Sequence, residues 1–163
     1  MELKRRIDYR NVFVIIYFLV FIGYFVIGLL PANASDYHIS GSVIIPSIGL
    51  ESKVTDIEIQ NGKLNTPDTI VGSYSTNERK TLLIGHASTV FESLFEAKVG
   101  DRIIYNKQIY TIIASQVYPK SEIRMSRLLG PSNRDTLIVM TCAGQDLGDG
   151  DATHRFIVTA EAE

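Results

Sequence analysis

Seven short runs rich in Val, Ile and Tyr, at residues 42–45, 54–59, 82–84, 103–105, 109–114, 137–141 and 156–159, are punctuated by Gly, Pro and Asn, and this pattern limits the fold most. β-Branched and aromatic side chains suit a pleated strand, and strands this short bury their apolar faces by closing into a barrel or stacking as a sandwich. Asn106 and Lys107, between two of the runs, fit a tight hairpin because Asn tolerates positive φ. Helical periodicity is confined to two places. Phe91, Leu94 and Phe95 stand at i, i+3 and i+4 in 91–97, with Gly100 and Asp101 breaking out of it. Residues 121–129 are the second, with Ser121 as N-cap and Gly130 and Pro131 as terminators. The expectation is a mainly β domain with one or two short helices, with no repeat of fixed period and no low-complexity stretch.

A different kind of segment precedes it. Residues 11–30 carry no charge and are almost wholly apolar. As a helix they span roughly 30 Å, the thickness of a bilayer core, which predicts a single transmembrane helix. Lys4, Arg5, Arg6 and Arg10 stand before it against Glu2 and Asp8, so the N-terminus is expected in the cytoplasm and the rest outside. A cleaved signal peptide is the competing reading, because Ala32-Asn33-Ala34 has the small-x-small form of a cleavage site. The apolar stretch, however, exceeds the usual core of about 7–15 residues in such peptides. The expected organisation is a cytoplasmic N-terminus at 1–10, a signal anchor at 11–30, a polar linker at 31–41 and one folded domain at 42–163. Beyond residue 30 stand twelve basic and sixteen acidic residues, a formal charge of −4, so no basic field exists there to hold nucleic acid. A domain of this size suffices for one core.

The chain has one cysteine, Cys142. Outside the cell a lone thiol forms no intramolecular disulfide and is a liability unless buried or used. Cys142 follows the run 137–141, and Arg155 opens the run 156–158. If those strands are antiparallel neighbours, the end of one lies beside the start of the next, with 143–154 closing over that end of the sheet. His86 follows the run 81–85, and spacing does not say which strand lies beside it. Cysteine catalysis needs a thiolate, a group that hands a proton to the leaving amine, and a donor for the oxyanion. Cys142, His86 and Arg155 can fill those roles in that order. Singly, each also has a plain reading as a small core residue, a solvated histidine or a surface charge.

Taken in order, the local sequences resemble the sortase family of membrane-anchored cysteine transpeptidases. Ile84-Gly85-His86-Ala87 is similar to that family's histidine segment, Val139-Met140-Thr141-Cys142 to its aliphatic-x-Thr-Cys signature, and His154-Arg155-Phe156-Ile157-Val158 to its arginine strand. Ile45-Pro46-Ser47-Ile48-Gly49-Leu50 resembles its early strand, and 91–101 its short helix and following Gly-Asp turn. The likeness spans most of 42–160 and leaves the class open, with D, E and F as candidates. It implies an eight-stranded sortase-type β-barrel in which Cys142, His86 and Arg155 are catalytic; Thr141, next to the thiol, is a second-tier candidate for a hydrogen bond near the site, beside its plain reading as a β-branched strand residue. The implied substrate is an LPXTG-like sorting signal, cleaved between Thr and Gly through a Cys142 thioester. The acceptor would be an amine of a cell-wall precursor peptide or a pilin lysine. No cofactor is implied. The family's substrate-recognition loop falls at 116–134, where Leu128, Leu129 and Pro131 are candidates for an apolar groove.

Other readings remain open on sequence alone. An L,D-transpeptidase is also an external, β-rich cysteine enzyme, but its cysteine segment carries His and Gly before the thiol and Arg soon after. Met140-Thr141 and Ala143-Gly144 stand there instead. A hydrolase differs only in using water to resolve the thioester. An anchored β-barrel that merely binds a partner predicts no covalent intermediate. Residues 146–151 are acidic and Gly-rich yet lack the D-x-[DN]-x-[DN]-G order of a calcium loop, so they read as a mobile loop. Glu92, Glu96 and Asp101 are candidates for scattered calcium-binding carboxylates, but no spacing supports this and no obligatory metal is expected.

Overall fold

The computed structural model describes residues 37–60, 63–77, 79–148 and 151–163. The expected anchor at 11–30 and most of the linker lie outside the described residues. Among those described, no helix is long and apolar enough to cross a membrane.

Among the described residues ten strands follow one another: β1 (Ile39–Ile45), β2 (Leu50–Asp56), β3 (Ile59–Gln60), β4 (Lys63–Leu64), β5 (Val71–Asn77), β6 (Lys80–Ile84), β7 (Arg102–Tyr105), β8 (Gln108–Pro119), β9 (Thr136–Gly148) and β10 (Asp151–Ala162). Eight of them close into a barrel in the order β1-β2-β5-β6-β9-β10-β8-β7, and β3 and β4 form a separate small hairpin. The expected eight-stranded barrel is therefore present. Among the described residues, helix is limited to 3₁₀ turns at Pro46–Ile48, Glu92–Glu96 and Lys120–Glu122 and one α-helical turn, α1 (Met125–Leu128). Asn106 and Lys107 turn β7 into β8 with φ of 48° and 69°, the primed geometry that matches the twist of the strands.

Three details differ from the sequence pattern. The run 54–59 is not one strand: β2 ends at Asp56, and Ile59 belongs to β3. β5 was not foreseen, because Val71-Gly72-Ser73-Tyr74-Ser75 is too small and polar to look apolar-alternating. It is a strand because β2 pairs with it in parallel and β6 in antiparallel fashion, so tertiary pairing overrides weak propensity. The helix expected at 121–129 is broken by extended backbone at Ile123 and Arg124, and Ser121 lies inside the Lys120–Glu122 turn rather than at an N-cap.

Strand alternation divides the apolar residues between two clusters. Leu83, Leu137, Val139, Phe156 and Val158 point into the barrel, where Val43, Ile45, Val54, Ile103, Phe91 and Leu94 join them. Their neighbours along the strands, Leu82, Ile84, Ile138 and Ile157, point outward and are covered by Leu129 and by Ile123, Met125 and Leu128 of the β8–β9 connection. The outer face of β6, β9 and β10 is thus a second, shallower core.

Candidate active site

The three residues singled out by sequence share that outer face. Along β9, Leu137 and Val139 face inward and Ile138 and Met140 outward, so period two turns Thr141 inward and Cys142 outward. The same counting turns Arg155 outward beside Ile157, and His86 outward two residues after Ile84. β9 and β10 pair antiparallel with Cys142 directly opposite Arg155. β6 and β9 pair in parallel up to Ile84 opposite Met140, so His86 and Cys142 each lie two residues beyond a matched pair. All three line one open cleft of about 740 Å³. The geometry corrects one expectation: Cys142 and Arg155 do not cap their strands. β9 continues to Gly148 and β10 starts at Asp151, so 143–148 and 151–154 extend the paired strands rather than looping over the sheet.

Thr141 is buried at 3 % exposure and its Oγ1 donates a 2.8 Å hydrogen bond to the Gly85 carbonyl. That bond ties the residue before Cys142 to the residue before His86. Gly85 is itself dictated by packing, since a Cβ there would stand 2.5 Å from Val90 Cγ1 and 2.8 Å from Phe91 Cδ2. Beyond it the chain turns back on the His86 carbonyl, which accepts from the N–H groups of Thr89 and Phe91. His86 Nε2 lies 3.8 Å from Asp68 Oδ1, a solvated carboxylate. Thr89 Oγ1 holds the Asp68 carbonyl at 2.8 Å.

Arg155 is held tightly. Its Nη1 donates to the carbonyls of Ala152 (2.9 Å) and His154 (2.8 Å), and its Nη2 donates to Asp151 Oδ1 at 2.6 Å. The other Asp151 oxygen accepts from Lys120 Nζ at the start of the β8–β9 connection. The Lys120 ammonium and then the Arg155 guanidinium hold the Asp151 carboxyl well below the usual carboxylate range. Two register irregularities, at 151–152 and 152–154, let Asp151 reach back to Arg155. Sequence reasoning passed over Asp151 as part of an acidic loop and gave Lys120 no role. Lys120 has no local signal, because it reaches Asp151 only through the pairing of β8 with β10, and the i, i+4 spacing of Asp151 and Arg155 was not read as a contact. Asp68 was missed because it meets His86 from the segment before β5, eighteen residues away in sequence.

The apolar wall also differs in detail. Ile123 and Met125, with Leu64 and Ile59 of the small hairpin, line the cleft over a floor of Ile84 and Met140. Leu128 and Leu129 instead pack into the outer cluster, and Pro131 is exposed. Glu92 and Glu96 open onto a different cavity beside Glu51, while Asp101 is engaged by Lys98 N and Ser47 Oγ. Among the described residues no group of three or more metal-ligating side chains is gathered.

This cleft sets a thiol, an imidazole and a clamped guanidinium along an apolar groove. Residues 43–163 match the family model of the Sortase domain. No curated protein matches the chain in sequence. Among solved structures it is similar to sortase A of Listeria monocytogenes (TM-score 0.60, 17 % identity, covering 77 % of this chain and 87 % of that one). It is also similar to sortase C-1 of Actinomyces oris (TM-score 0.60, 21 % identity, 77 % and 72 % covered). A lid mutant of sortase A from Corynebacterium diphtheriae aligns with a TM-score of 0.59 at 19 % identity, covering 80 % and 73 %. At such identities the structural likeness speaks to the fold, and the family model, matched over most of the chain, decides membership: this protein belongs to the sortase family of cysteine transpeptidases.

Proposed function

We propose that the chain is a membrane-anchored transpeptidase that cleaves an LPXTG-like sorting signal of an exported protein between Thr and Gly and passes the acyl group to an amine. Residues 11–30 are the anchor, with the N-terminus cytoplasmic and the barrel outside the membrane. The observation that carries the reading is the in-register pairing of Cys142 with Arg155 on the face that His86 shares.

The Cys142 thiolate attacks the Thr carbonyl carbon, forming a C–S bond and pushing an electron pair onto oxygen. Arg155 donates hydrogen bonds to that oxygen as charge develops. When the pair returns, the C–N bond breaks and the His86 imidazolium gives its proton to the departing Gly nitrogen, leaving a thioester. An amine, from a cell-wall precursor peptide or a pilin lysine, then attacks the thioester. His86 takes its proton, an amide forms, and the Cys142 thiolate is regenerated. The apolar wall of Ile123, Met125 and Leu64 suits the Leu and Pro of the signal. No step calls for a metal or cofactor.

Mass spectrometry of the detergent-solubilised full chain with an LPXTG-type peptide library, with and without an added amine, tests this. A mass on Cys142 that converts to an amide with amine, and is missing from Cys142→Ala, is the expected result. Conversion by water alone would make the enzyme a hydrolase. A folded sample that forms no adduct with any peptide would leave a barrel that only binds.

A further inference from the structure

We infer that Asp151, braced by Lys120, is a positioning residue that sets the Arg155 guanidinium for oxyanion binding. The inference rests on the transpeptidase reading of the cleft and deepens it. Arginine has five N–H donors in a fixed planar fork. Here the two on Nη1 are spent on the carbonyls of Ala152 and His154, and one on Nη2 is spent on Asp151. The Nε–H and the second Nη2–H make no hydrogen bond among the described residues, and the side chain that bears them stands opposite Cys142. Three bonds on one plane fix both the position and the rotation of the group, so the two remaining donors keep one direction. A donor that is already aimed needs no reorganisation when negative charge develops on the carbonyl oxygen.

Lys120 completes the device. It comes from the far side, at the junction of β8 with the connection that carries Ile123 and Met125, and its ammonium takes the second Asp151 oxygen. The carboxylate is therefore held from two directions and cannot swing with Arg155. The Ala152 N–H adds a third donor to Asp151 at 2.9 Å.

Two measurements test the clamp on the full chain. In single-turnover acylation by a peptide taken from the library, Asp151→Asn is expected to slow the acylation step roughly 10- to 100-fold, the scale of a misplaced catalytic group, with KM changed less than about twofold. Lys120→Met slows it less. Alkylation of Cys142 by iodoacetamide stays within about twofold in both, because the thiol itself is untouched. In an Arg155→Lys background, Asp151→Asn adds little, because there is no fork left to position. Equal slowing in both backgrounds, or unchanged acylation in Asp151→Asn, overturns the inference. The second measurement needs no substrate: with ¹⁵N-labelled arginine, NMR is expected to show slowed rotation of the Arg155 Nη groups that becomes fast in Asp151→Asn. Identical spectra overturn the clamp, whereas a wild-type chain that forms no thioester overturns the transpeptidase reading and leaves the clamp to be judged by NMR.

Discussion

The residues around the cleft act mainly by holding backbone, and two of them make the point quantitatively. Thr141 spends its hydroxyl on the Gly85 carbonyl in a buried setting, so Thr141→Val, which keeps the shape, removes the donor and strands the acceptor. The expected cost is about 1–3 kcal/mol in urea unfolding, with most of it recovered in Thr141→Ser. Gly85→Ala puts a methyl into Val90 and Phe91, and should destabilise by about 1–3 kcal/mol while also displacing His86, so that acylation slows more than stability alone explains. Asp151 brings a pH dependence whose sign is set by its partners. Its carboxyl titrates below its ordinary 3.8 in the fold, so the ionised form favours folding. That contribution is complete above about pH 5 and shrinks as pH falls through the ordinary value and then the lowered one. The stability gap between the chain and Asp151→Asn should therefore narrow as pH drops from about 5 towards 2, measured by urea midpoints at each pH. A gap that stays constant would contradict the ion-pair account.

Among the elements, the β9–β10 hairpin matters most to the site, and its length was the main surprise. Residues 143–148 look like loop by composition, yet they continue β9 because β10 offers a ladder to pair with. The effect is to move Cys142 and Arg155 from a frayed strand end to a paired interior, where the backbone holds both. The β7–β8 hairpin is the opposite case, legible from two residues. Asn106 takes positive φ and its Oδ1 accepts from the Ser42 N–H at 3.1 Å, while Lys107, at φ 69°, occupies a position that favours Gly. Lys107→Gly relieves a left-handed penalty of about 1–2 kcal/mol and gives back about 0.4–1 kcal/mol through the looser unfolded chain. A net stabilisation of roughly 0.5 kcal/mol follows, visible as a higher urea midpoint at unchanged slope.

For the barrel as a whole, closure is the weak and decisive step. Among the described residues β1 and β7 pair at Val43–Tyr105 and Ile44–Ile104, with the Ser42–Asn106 hydrogen bonds just beyond, while β9 and β10 stay matched without a break from Thr136–Glu161 to Ala143–His154. Native-state hydrogen exchange should find the backbone amides of 43–44 and 104–105 opening at lower free energy than those of 137–141 and 156–160. Uniform protection around the barrel would show that the seam opens only with global unfolding. The parallel pairs β2–β5 and β6–β9 join strands whose contacts close long loops, a topology expected to fold slowly. What the sequence by itself determined follows from local physics: β-branched runs and turn residues specify strands, and Asn106 marks a hairpin. The ordered segments around His86, Cys142 and Arg155 also carry the family. Only the tertiary structure decided that β5 is a strand, that β9 runs on past the thiol, that Ile123 and Met125 rather than Leu129 line the groove, and that Lys120 meets Asp151. Each of those depends on which strands become neighbours in a closed sheet, and pairing between segments far apart in sequence leaves no periodicity in either one.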